Sequence, residues 1–126
     1  MDYKNILVLI IILILIDSIY LSLLSKQLTK QIKDIQGYDL KVNYLAALMV
    51  YVLLAFGLYY FTANEPNLDK KILNAAVLGL VSYAIFDLTT IAIFDKWSIT
   101  LATIDIIWGS VLSASSVYLL EKIIKN

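Results

Sequence analysis

Residues 5–25 read NILVLIIILILIDSIYLSLLS, an apolar run as long as a bilayer crossing with a single charged residue, Asp17, set inside it. A hydrocarbon core about 30 Å thick requires about 20 residues of helix at 1.5 Å rise each. Three further runs of the same kind follow, at about 43–62, 72–94 and 99–120. Together they predict an all-α integral membrane four-helix bundle with short loops. Lys4 before an apolar stretch resembles the start of a signal peptide. The apolar core is long, however, it carries Asp17, and no small-residue cleavage site follows, so the first span is expected to be a mature helix.

Composition agrees with that class. With 61% hydrophobic residues, 16% charged residues and a mean hydropathy of +0.84, the chain reads as a polytopic membrane protein rather than a soluble domain. The spans use nearly all of its 126 residues, and no linker, low-complexity tract or repeat marks a second module. One transmembrane domain, 1–126, is expected.

The absence of Cys and His removes disulfides, thiolate chemistry, ordinary zinc sites and imidazole relays. Any chemistry must use oxygen. No cofactor is expected, and a retinal Schiff base is excluded because no Lys falls within the spans as drawn. Ten lysines balance ten acids. If the three aspartates in the spans are buried, seven acids remain in water, an excess too mild for nucleic-acid binding. The expected partner is the lipid bilayer.

The first connection is the longest. Leu28, Ile32 and Ile35 recur in it at helical spacing among Lys26, Lys30 and Lys33. The first helix is therefore expected to continue past the membrane or lie on its surface, with Gly37 ending it. Those lysines could attract anionic lipid heads, but a solvated segment explains them as well. The second connection holds Pro66 and the third is shorter still. Short connections make successive helices antiparallel and put both termini on one side. Lys4, Lys70, Lys71, Lys122 and Lys125 fall on that side, and Lys26, Lys30, Lys33, Lys41 and Lys96 on the other. An even split leaves both the orientation and the host membrane open. Tyr3, Tyr59, Tyr60, Trp97 and Tyr118 read as interfacial belt residues.

Asp17, Asp87 and Asp105 each lie six to eight residues in from the side of the first and third loops, about 9 to 12 Å at the helical rise. Tyr51 and Trp108 fall at the same depth. An ionisable group there costs about 2.5 to 3.5 kcal/mol on insertion scales, so such residues usually face the bundle interior and mark function. Gly79, Tyr83, Asp87 and Thr90 share a face of the third helix, while Asp105, Trp108 and Gly109 share one of the fourth. Asp17 aligns with Tyr20 on the first. Gly57, Gly79 and Gly109 are expected to be helix-packing sites. Three bare carboxylates in one leaflet are unfavourable. One carries a proton, a cation sits among them, or water reaches them.

The same residues carry a resemblance. GLVSYAIFDLTTIA at 79–92, Trp97, and DIIWGSVLSA at 105–114 resemble the signature of the domain-of-unknown-function 2177 family of bacteria and large DNA viruses. Asp17-Ser-Ile-Tyr20-Leu21 resembles its first-helix motif. Ala46 to Tyr51, with Gly57, Tyr60 and Phe61, resembles its second. Phe86 and Thr90 stand where the family usually has Tyr and Asn, and Tyr20 where it usually has Trp. The resemblance implies a four-helix integral membrane protein and brings no activity or substrate with it.

Three functions fit these residues. A proton or small cation could be bound or transported at Asp17, Asp87 and Asp105, supported by Tyr51, Tyr83, Thr90 and Trp108. Whether a metal belongs there is open, since hard cations want several oxygens and Thr89 or Thr90 would add to the carboxylates. Alternatively the aspartates are polar locks between helices in a structural or partner-binding protein. A less expected reading is an intramembrane hydrolase using two aspartates on adjacent helices, although neither Asp87 nor Asp105 sits in such a motif. Four helices are few to enclose a pathway, so a homodimer is among the assemblies the sequence allows.

Overall fold

The computed structural model describes residues 2–125, which form four helices and no strand: α1 (Tyr3–Gln36), α2 (Tyr44–Thr62), α3 (Leu68–Ile93) and α4 (Ile99–Ile124). All four are long and apolar enough to cross a membrane. Each begins at a residue that caps free backbone N–H groups. The side chains of Asp2, Asn43, Asn67 and Ser98 accept hydrogen bonds from the first turns of α1 to α4 in order. Gly37, at φ 87°, closes α1 with its N–H on the Lys33 carbonyl, a left-handed position that favours glycine.

The helices outrun the expected spans. α1 continues without a break through the lysine-bearing segment to Gln36, as one of its two expected courses has it, while α4 runs on past residue 120 to Ile124. α3 starts a turn before residue 72 because Asn67, just after Pro66, supplies the cap. At the rise of an α-helix, the 34 residues of α1 span about 51 Å, well beyond a hydrocarbon core.

The four helices form a ring in chain order. α3 and α4 pack most extensively, α1 touches α2 and α4, and among the described residues α1 and α3 do not pack together. Both chain ends lie on one side. The backbone N–H of Asp2 donates to the Tyr59 hydroxyl at the end of α2, and Lys71 at the start of α3 pairs with Glu121 at the end of α4.

The apolar core fills the half nearest the termini. Leu9, Ile12 and Leu13 of α1 meet Ala55, Leu58, Ala75, Leu112, Val117 and Leu120 there. On the outer surface Leu7, Ile11, Leu15, Ile19 and Leu23 form an exposed stripe along α1, and similar residues cover the other helices. An apolar flank on that scale belongs in lipid, and the chain is a multi-pass integral membrane protein.

Candidate functional site

Where the apolar core ends, polar side chains from all four helices meet. One helical turn beyond Leu13, Asp17 projects inward and accepts two hydrogen bonds. The Tyr51 hydroxyl of α2 donates to its Oδ2 at 2.5 Å, and the Trp108 indole N–H of α4 donates to its Oδ1 at 2.9 Å. Three helices are thus joined at one carboxylate. Donors of this kind offset much of the cost of removing the group from water.

Tyr20 stands a turn further along α1 and donates from its hydroxyl to Asp105 Oδ1 at 3.1 Å. Its ring stacks on Trp108 at 4.7 Å between centroids, with the planes within 5° of parallel. One aromatic pair therefore bridges the Asp17 and Asp105 carboxyls. The alignment of Tyr20 with Asp17 is visible in the sequence, but its bond to a residue 85 positions away is not.

Asp87 differs from both. It is 1% exposed, its carboxyl lies beside that of Asp105 and the Trp97 indole, and its Oδ2 has no hydrogen-bond partner. The Trp97 N–H is also enclosed and unpartnered. Trp97 is therefore more than a belt residue: the short turn after α3 folds its ring back against Phe86.

Tyr83, Thr90 and the glycines have other surroundings. A Cβ on Gly109 would strike the Tyr83 ring, and one on Gly79 would strike the Gly109 carbonyl oxygen and the Ser113 side chain. Those two glycines let α3 and α4 approach closely. Gly57 has ordinary room: a Cβ there would meet Leu78 Cδ2 at 3.6 Å, and the residue lines a groove instead. Thr90 is buried, but its hydroxyl donates to the Phe86 carbonyl of its own helix at 2.7 Å. Thr89 is exposed on the outer face. Among the described residues no three acidic side chains converge to hold a metal ion.

A groove of about 600 Å³ opens on the flank of this cluster. Its walls include Leu21, Val50, Leu54, Leu78 and Phe86, and Asp17 and Asp105 stand at its floor beside Tyr20 and Tyr83.

Charged groups are also buried at the far end of the bundle. Lys71 Nζ meets Glu121 Oε1 at 2.6 Å, and Lys125 stands 3.5 Å from Glu121 Oε2. The expectation that no Lys falls within a span is corrected here for the third helix, whose early start takes in Lys71. The early start of α3 brings Lys71 into the bundle opposite Glu121. Both lie about four turns along their helices from the aspartates, where Lys71 neutralises none of them. Spacing within one helix gives no sign of such a pair, because its members are 50 residues apart.

Neither the curated proteins nor the solved structures offer a match to this chain. One family model, described as "Predicted membrane protein (DUF2177)", matches residues 3–119 and so takes in Asp17, Asp87, Asp105 and their aromatic partners. The chain belongs to that membrane-protein family.

Proposed function

We propose that this membrane protein binds a proton or small cation at the Asp87 and Asp105 carboxyls and moves it by exchanging occupants there. The enclosed Oδ2 of Asp87 carries this reading, since it has no hydrogen-bond partner although the Asp105 carboxyl lies beside it. Adjacent carboxylates repel when both are charged. A shared proton or a bound cation removes the repulsion and gives the orphan oxygen a partner. Lys71 cannot serve, being held by Glu121 at the other end of the bundle.

The donor set argues for the occupant. Divalent cations such as calcium take six to eight oxygens, and no three acidic groups converge among the described residues. A proton or a monovalent cation makes lesser demands.

Asp17 supports a second role within the same cluster. Both of its oxygens are taken by donors from other helices, the arrangement of an interhelix lock. Asp17 is accordingly assigned to architecture, and Asp87 and Asp105 to the ion.

Proton and cation flux in proteoliposomes over a pH series tests this division. Asp87→Asn and Asp105→Asn should abolish flux while the protein remains folded, and Asp17→Asn should lower thermal stability. Absence of flux under any imposed gradient in the folded wild-type protein would sink the transport reading.

A further inference from the structure

The groove beside the aspartates opens sideways. Val50 at 59% exposure, Leu53 at 64% and Phe86 at 58% form its rim, on a flank that faces lipid. α2 packs on α1 and on α3, but among the described residues α1 and α3 do not pack together behind it, and Gly57 of α2 carries no side chain to fill the space. A space of about 600 Å³ is within the range of small-molecule sites.

A lipid acyl chain would suit the walls but not the floor. Asp105 is only partly buried, accepts a hydrogen bond from Tyr20, and faces the space together with Asp17. Both oxygens of Asp17 already have donors, but hydrocarbon laid against Asp105 would leave its charge with the Tyr20 hydroxyl alone. Among the described residues no lysine lines the groove. Tyr20, Tyr83 and Phe86 add aromatic surface, which attracts cations when it is presented face-on.

We propose that the groove is a binding site for a hydrophobic organic cation, which arrives laterally from the bilayer, lays its hydrocarbon against Leu21, Leu54 and Leu78, and sets its charge against Asp105. The proposal rests on the ion-binding reading of the carboxyls and names the class of cation. Binding next to Asp105 disfavours a second positive charge on the Asp87–Asp105 pair, so cation and proton compete.

The test is equilibrium binding of tritiated tetraphenylphosphonium to the full chain in phosphatidylcholine nanodiscs. Tetraphenylborate, similar in shape and opposite in charge, is the comparison, and empty nanodiscs give the partition background. Saturable binding of the phosphonium alone is expected, weakened at least about tenfold in Asp105→Asn, a modest demand on one charge pair in a medium of low dielectric. Gly57→Leu should block the groove, and Leu53→Trp on the exposed rim repeats that test without disturbing packed residues. Equal binding of both probes, or wild-type affinity in folded Asp105→Asn, would overturn the proposal and leave a groove filled by lipid chains. Proton flux measured on the same variants separates the two readings. Flux that Asp87→Asn abolishes, without saturable phosphonium binding, overturns the groove site and retains the proton site. Charge-selective phosphonium binding without proton flux supports the groove site and removes proton transport.

Discussion

Asp17 hangs between a phenol and an indole from two other helices, and its substitutions should separate hydrogen bonding from charge. Asp17→Ala leaves both donors unpaired at a buried position and should cost about 1 to 3 kcal/mol. Asp17→Asn keeps one acceptor and should cost less, about 1 kcal/mol. Thermal unfolding in detergent would rank the two variants, and equal loss in both would argue against the lock. The Lys71–Glu121 pair obeys a different rule. Removing one partner from a buried pair typically costs about 3 to 5 kcal/mol, whereas apolar replacement of both is often neutral. Lys71→Met should therefore lower stability clearly, and Lys71→Met with Glu121→Met should recover most of it. A double variant as unstable as the single one would show that the pair contributes more than mutual neutralisation.

Helices α3 and α4 owe their close approach to two glycines. At Gly79 the obstacle to a side chain includes the backbone of Gly109, which cannot rotate away, and at Gly109 it is the base of the Tyr83 ring. Gly79→Ala and Gly109→Ala should each cost about 1 to 3 kcal/mol by overpacking, while Gly57→Ala should be near neutral. Helix α1 makes its own long-range contact. Its extension brings Gln31 over the turn between α3 and α4, where Gln31 Oε1 accepts from the Ser98 N–H at 2.6 Å. Lys96 Nζ reaches back to the Asp34 carbonyl at 3.3 Å. In Gln31→Ala, amide hydrogen exchange at residues 98–101 should accelerate, since the start of α4 loses its anchor. Unchanged exchange there would mean that the extension does not hold the turn.

Along its length the molecule is layered. A buried ion pair closes one end, an apolar core follows, then the carboxyl cluster with its lateral groove, and last the turn beneath the α1 extension. The cluster thus lies between the closely packed α3–α4 seam at Gly109 and the groove beside α2. Hydrogen exchange should be slowest around Leu9 to Leu13 and Leu112 to Val117, and faster on α2 from Tyr44 to Leu53, which lines the open side. Uniform protection of all four helices would contradict that layering. Binding of tetraphenylphosphonium at the groove should slow exchange in α2, whose Val50, Leu53 and Leu54 line it, before it affects α3 or α4.

Long apolar runs announce membrane helices because a bilayer requires every backbone group to be satisfied within the segment, a purely local condition. Helix termination is equally local, so Gly37 marks the end of α1 in the sequence itself, while the caps at Asn43, Asn67 and Ser98 emerge from the structure. The cost of an ionisable group in hydrocarbon likewise singles out Asp17, Asp87 and Asp105 without reference to their neighbours. What those groups touch depends on helix rotation and spacing, which arise from packing between distant segments. That packing gives Asp17 its two donors, leaves Asp87 Oδ2 with none, and directs Tyr20 to Asp105. It also turns the Thr90 hydroxyl to its own backbone, sets Gly57 in the lining of the groove, and buries Lys71 against Glu121. Residue type and spacing can identify a polar position on a helix, but only the packed bundle determines whether it meets a partner, a cavity or another charge.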